Sequence, residues 1–528
     1  MKRLVTILVV LLMASALMFM SCNRQPAASA GAAASIVVEV FDRGTDGGRS
    51  NAIDNEWTRW IQEKVKKDLN IDVTFFPVGR WSEDTDIVNL MASGSAPDLC
   101  YTYNTAMISS FRDQGGILDV TPYIDRLLPD MKKLLGRDPA IQGQDFIYRD
   151  RDPVSGKQFS IPSYVIEERL AQRNIFIRKD WLDKLGLPLP RTTQEFYNAL
   201  VAFRDRDPGN VGRNNVIPFG QDSDGRWGFA PIANAFVDPK LSPRDEWVNG
   251  WGRAQILLPG YKEGLRMINQ WYNEGLILRD FPLLRITDDY YNLLKTGVVG
   301  AFAANWDIPW RQDYKIADEL AQNIPGAQFV PVDCIQSPDG LTRKNISDKP
   351  GLRIFVPSFS KNQEAALRYL NWLSLYDNFH FLQVGEAGVN HEIANGVPRT
   401  IGTPAGHPWF QNSQNNIDYT MPMNGVEMMN SELTARVLAF GYGNTPPDVI
   451  INALTISVTN GKAPVVYQAT TTKEGIYGQT LSDKVDALIA QAVTARPADF
   501  DRVWDAGIQD YLRSGAQEVI DERASLWK

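Results

Sequence analysis

Unbroken apolar runs and helical stripes alternate along most of the chain. "SIVVEVF" (Ser35–Phe41) predicts a buried strand. "NEWTRWIQEKVKKDL" then sets Trp57, Trp60, Ile61, Val65 and Leu69 on one helical face. "DVTFFPV" (Asp72–Val78) predicts a second strand, "DTDIVNLMASG" a helix stopping at Gly94, and "PDLCYTY" (Pro97–Tyr103) a third strand. This β-α-β-α-β order belongs to a parallel sheet covered by helices. After about Tyr164 a second series begins. "NIFIRKDWL" predicts a strand running into a short helix, stopped by Gly186, Pro188 and Pro190. The next helix, "RTTQEFYNALVAFRD", carries Thr192 and Glu195 at capping-box spacing and Phe196, Leu200 and Phe203 as its buried stripe. "AQFVPVDCI" and "GLRIFVPSF" predict further strands before the helix "NQEAALRYLNWLSLY", and the tail from about Ser431 is mostly helical.

The amino end departs from this pattern. Met1-Lys2-Arg3 precedes an apolar run from Leu4 to Met20, then Ser21-Cys22 and the small residues Gln25 to Ser35. A basic start, a short apolar core and small residues at its exit predict a secretory signal over residues 1–21. The cysteine directly behind the core predicts lipidation at Cys22, with residues 22–35 as a tether holding a soluble body at a membrane. The alternative is a single transmembrane anchor, for which this run lies at the lower limit of about 17 residues.

Composition narrows the function. Asp and Glu number 62 against 54 Lys and Arg, a net charge of −8, which argues against nucleic-acid binding. Besides Cys22 there are only Cys100 and Cys334, which read as two buried thiols or, in an oxidising compartment, a disulfide. With three histidines and no HExxH or CxxC spacing there is no zinc motif, and no GxSxG, Walker or GxGxxG signature occurs. The 14 Trp and 18 Tyr are many for this length. Aromatic rings cover the C–H faces of sugars while carboxylates, amides and Arg meet the hydroxyl rims.

Several stretches, in order, carry a resemblance: "VEVFDRG", "NLMASGSAPDL", "FSIPSYV", "FIRKDWLDKLGLPLPRTTQEFYNALVAFRDRDP", "GVVGAFAANW" and "GEAGVNHEI". Together they resemble the family 1 extracellular solute-binding proteins of ABC importers, in particular the long lipoprotein subgroup that binds oligosaccharides and alginate. The resemblance implies an α/β, two-lobed periplasmic-binding-protein fold, each lobe a mainly parallel sheet covered by helices, with the ligand in the cleft between. It places residues 36–163 and 328–376 in the first lobe and 164–327 and 377–528 in the second. Cys100 and Cys334 would then share the first lobe. It further implies a monomer in the cell envelope that closes on a sugar and delivers it to a permease. Alginate-type members carry an EF-hand-like calcium loop. Its equivalent here, Asp207 to Pro218, keeps Asp207 and the turn at Gly212 but has Gly209, Val211 and Val216 where oxygen ligands belong and Asn215 for a carboxylate. A loop without metal is expected, and no cofactor.

Candidate ligand contacts lie at strand ends and loops. Asp42 and Arg43 end the first strand, as rim contacts or as an ion pair pinning the turn at Gly44. Trp81 stacks on ligand or packs in its lobe, and Tyr101 and Asn104 end the third strand. Tyr164 lies at the crossing between lobes, in the cleft or packed in the hinge. Trp306, after the apolar "VVGAFAA", is the leading stacking candidate, with Trp310 beneath it. Glu386 and His391 fall in "GEAGVNHEI", His391 reading mainly as a structural imidazole, and Trp409 in "HPWF" is a further stacking candidate. Two other classes remain open on sequence. A secreted glycoside hydrolase needs only two carboxylates about 5–10 Å apart, and a surface adhesin needs an exposed apolar patch.

Overall fold

A computed structural model of the chain describes residues 34–42, 51–136, 146–152, 155–165, 173–252, 254–284, 289–311, 314–346, 350–401, 418–424, 426, 428, 430–442, 445–465, 467 and 471–527. The signal and Cys22, Arg43 and Trp409 lie outside these residues. Among the described residues no helix is long and apolar enough to cross a membrane.

In the first lobe β1 (Ala34–Asp42) runs parallel to β2 (Ile71–Gly79) over their whole length. Between them lies the helix Glu56–Leu69, started by a capping box of Asn55 and Thr58 and burying Trp57, Ile61 and Val65. The helix Glu83–Ser93 follows β2 and ends at Gly94, whose left-handed φ of 68° suits glycine. β3 (Cys100–Thr102) attaches beside β1 through bonds from the Glu39 N–H to the Leu99 carbonyl and from the Leu99 N–H to the Val37 carbonyl. The strands' apolar residues form one core with Ile161, Leu352, Ile354, Phe355, Leu367, Leu370, Leu373, Leu382 and Met421, among others.

The second lobe is built on a sheet in the order β6 (Ile217–Gly220), β7 (Val299–Ala304), β5 (Asn174–Arg178), β8 (Phe329–Val332). β6 and β7 are parallel, and β5 runs antiparallel to both of its neighbours. Ile175 and Ile177 face one core and Phe176 the other. Burial on both faces is why "NIFI" and "GAFAA" read as continuous apolar runs. Gly300 lets Phe203 and Trp181 close on β7, since a Cβ there would lie 2.5 Å from one ring and 2.9 Å from the other. The helix Thr193–Arg206 buries Phe196, Leu200 and Phe203. Its cap differs in detail from the expected box: Thr192 Oγ1 accepts from the Glu195 N–H, but the Glu195 carboxylate reaches back to the N–H of Arg191.

Three passages of chain join the lobes side by side. β4 (Ile161–Val165) leaves the first lobe, β10 (Pro350–Phe355) returns to it next to β3, and β13 (Met423–Asn424) leaves again, in the order β13-β4-β10-β3. Tyr164 is in register with both Pro350 and Met423. The lobes also touch where Thr472, before the helix Lys473–Thr494, lies 3.4 Å from the Asp113 carboxylate. The remaining strands are short: β9 (Lys344–Asn345) pairs with β14 (Gly461–Lys462), and β11 (His391–Ala394) forms a hairpin with β12 (Val397–Thr400).

Two sequence boundaries move. The strand of "AQFVPVDCI" is β8, hydrogen-bonded to β5, and Cys334 lies in the second lobe's core. The return to the first lobe therefore comes with β10, not at residue 328. The helix Tyr376–Val384 stays with the first lobe through Phe381 and Leu382. A strand's pairing partner is not written in its own residues, and this caused the misplacement. Cys100 and Cys334 are buried free thiols in different cores, so they do not pair.

Candidate functional site

The connectivity fixes which edges of the two sheets face each other. β4 and β13 leave the first lobe at their carboxyl ends, and β10 enters it at its amino end. Because β10 is antiparallel to β3, this is also the edge where β1, β2 and β3 end. In the second lobe the chain arrives at the amino end of antiparallel β5 and departs beyond β8. That edge therefore carries the carboxyl ends of β6, β7 and β8. Crevices outside strand carboxyl ends are where open α/β sheets bind ligands.

At the first lobe's edge a depression is lined by Arg80, Trp81, Glu83, Tyr103 and Asn104. The Trp81 indole is 77% exposed. Arg80 lies over the rings of Tyr103 at 4.5 Å, Trp81 at 5.1 Å and Phe41 at 5.3 Å, and is ion-paired to Glu83 at 2.6 Å. Glu83 Oε1 accepts from the Thr102 hydroxyl and the Tyr103 N–H. Burial pushes the Glu83 carboxyl up, against the pull of Arg80. Asn104 spends its carbonyl capping the helix Thr105–Asp113. Asp42 is exposed, and its backbone carbonyl accepts from the Arg80 N–H at 2.9 Å. The sequence candidates Asp42, Trp81 and Asn104 thus meet at one edge, joined by Arg80 and Tyr103, which sequence reasoning missed.

At the second lobe's edge a cavity is lined by Arg173, Trp227, Glu246, Lys344 and Lys462, among others. Arg173 directly precedes β5 and lies 4.6 Å over the Trp227 ring. Trp227 sits in the short helix Gly225–Gly228, capped by Asp224, just past the carboxyl end of β6. Asp222, also past β6, is 4% exposed and accepts from the Asp224 N–H. Burial raises its pKa to about 6, with the Arg173 charge opposing the rise. Burial likewise lowers the Arg173 pKa, with Asp222 opposing it. None of these residues was singled out from sequence. The signal for Trp227 was its place in a loop after the strand "IPFG".

Other candidates lie elsewhere. Tyr101 is fully buried, its hydroxyl accepting from the Phe41 N–H and donating to the Asp418 carbonyl, so it is a core residue tying β1 to the segment before β13. Trp306 is 4% exposed and packed edge-on to Tyr442 at 5.5 Å, with Trp310 in the same core, so the expected stacking face is covered. Tyr164 packs at the crossing: its ring meets Phe146 edge-on at 5.3 Å and borders cores of both lobes. Glu386 is exposed in the turn before β11, and buried His391 bonds through Nδ1 to the Val384 carbonyl. In the calcium-like loop the Asp207 carboxylate accepts from the N–H groups of Val211 and Gly212, while Asn215 donates to the Val211 carbonyl.

A family model, bacterial extracellular solute-binding protein, matches residues 51–377. The polygalacturonan/rhamnogalacturonan-binding protein YtcQ of Bacillus subtilis is 23% identical over 347 residues, 63% of each chain. The fructooligosaccharide ABC transporter substrate-binding protein FusA of Streptococcus pneumoniae serotype 4 is 28% identical over 234 residues, 41% of each chain. The matches thus span less than two thirds of these relatives. Among solved structures, the alginate-binding protein AlgQ2 without calcium ion superposes with a TM-score of 0.64 at 17% identity, covering 94% of this chain and 98% of that one.

Proposed function

The chain belongs to the bacterial extracellular solute-binding protein family, and from that premise we propose that it captures an oligosaccharide and delivers it to the permease of an ABC importer. The observation that carries this reading is the pair of facing edges, with exposed Trp81 on one and the Arg173–Trp227 pair on the other, across the β13-β4-β10 crossing. Trp81 offers a sugar an apolar face, and the polar groups beside it meet hydroxyls. Rotation about the crossing strands brings the second edge onto the same ligand. Only contacts made better in the closed form favour closure. The permease then reads the closed surface. No bond of the sugar changes. The names of YtcQ and FusA, both carbohydrate binders, support the ligand class. Lipidation at Cys22, supported by the apolar run before it, keeps the receptor at a membrane outside the cytoplasm.

The test is a panel of oligosaccharides added to the mature protein. A native-state binder raises the melting temperature, and the rise grows with the logarithm of ligand concentration above its Kd. Stabilisation by an oligosaccharide that is recovered intact is the expected result. Cleavage products would turn the reading to a hydrolase, and a panel without effect would reject it.

A further inference from the structure

Three cations line the second lobe's cavity, and they are not equivalent. Lys462 is 2.7 Å from the Glu246 carboxylate, and Lys344 is 2.9 Å from Asp333. Arg173 has no carboxylate within ion-pair distance among the described residues, and its buried Nε–H makes no hydrogen bond. Asp222 and Asp224 act on it electrostatically without an ion-pair contact, and Asp222 Oδ1 already accepts from the Gln221 amide and the Asp224 N–H. Arg173 is thus a half-buried guanidinium braced on one side by the Trp227 ring, with donors unspent. Leaving such donors dry and unpaired is costly, whereas a planar carboxylate satisfies a guanidinium fork with two parallel bonds. The first lobe shows the contrast: Arg80, stacked on three rings, already holds Glu83.

Resting on the oligosaccharide reading above, we propose that the ligand is acidic, and that Arg173 binds the carboxylate of a uronate residue stacked beside Trp227. Arg173 then sets specificity, while Trp81 supplies affinity common to charged and neutral sugars. Closure carries the carboxylate to Arg173, so an acidic sugar shuts the lobes more firmly than its neutral counterpart.

The probes are trimers of galacturonate and of mannuronate, each as free acid and as methyl ester, with maltotriose and a fructooligosaccharide as neutral controls. Titration calorimetry on the wild-type chain is expected to show one free acid binding about tenfold or more tighter than its ester, with the gap narrowing as salt rises from about 0.05 to about 0.2 M. R173Q is expected to lose about tenfold or more for the acid and less than about twofold for the ester. Equal affinity of acid and ester in the wild type, or equal losses for both in R173Q, overturns the proposal. So does a neutral control that binds where both acids fail, and that outcome leaves the oligosaccharide reading standing. If nothing on the panel binds, the oligosaccharide reading falls and this proposal with it. The acid-against-ester comparison needs no variant, so the test survives a misfolded R173Q.

Discussion

Trp81 and Trp306 occupy matching places in the two lobes. Each stands two residues beyond the carboxyl end of a strand, β2 or β7, on the edge where the chain crosses to the other lobe. One ring is 77% exposed and the other 4%. The difference comes from what lies over them. Around Trp306 the second lobe brings Ile308, Trp310 and, from a distant stretch, Tyr442, whose hydroxyl donates to Asp307 at 2.9 Å. Around Trp81 the nearest company is the Arg80 guanidinium, and the indole remains open. A strand-end position offers a ring to the cleft, and tertiary cover decides whether the offer stands.

The sharpest way to break this comparison is to remove both rings in turn. Trp306→Ala is expected to cost about 3–5 kcal/mol in urea unfolding, as for a large buried aromatic, and Trp81→Ala less than about 0.5 kcal/mol. Equal costs would erase the contrast. Next in size is pH. Asp222 has a raised pKa of about 6 in the folded chain. Its contribution to stability is full below the unfolded value near 3.8 and is lost as pH rises through 6. Between about pH 4 and 7, wild-type unfolding free energy should therefore fall by about 2 kcal/mol more than that of Asp222→Asn. Parallel profiles would show that the second edge does not hold a strained carboxylate. Third, Trp81→Ala should weaken oligosaccharide binding by about 1–2 kcal/mol at unchanged stability, read by calorimetry. An unchanged affinity would remove Trp81 from the site. The smallest effect concerns the loop behind the second lobe. Asp207→Asn should lower stability by about 1 kcal/mol through the lost Gly212 bond, and millimolar calcium should leave the wild-type melting temperature unmoved. A calcium-dependent rise would place a metal in that loop.

The elements were legible because their signals are local. "SIVVEVF" and "GAFAA" are strands buried on both faces, and Thr192 and Gly94 mark helix ends by their own chemistry. The site was legible only where local position and final exposure agree, as at Trp81. Tyr101 and Trp306 were misread because their cover comes from Asp418 and Tyr442, more than a hundred residues away. Arg173 escaped for another reason. A parallel-sheet reading looks beyond strand carboxyl ends, but β5 is antiparallel to its neighbours, so its amino end reaches the crevice. The same reversal hid the true home of β8 and Cys334.

The central claim is that two edges close on one ligand by motion about the β13-β4-β10 crossing. Small-angle X-ray scattering of the mature chain, with and without a saturating oligosaccharide from the binding panel, tests it most directly. A smaller radius of gyration in the bound form is the predicted result, and an identical radius at proven saturation would contradict it.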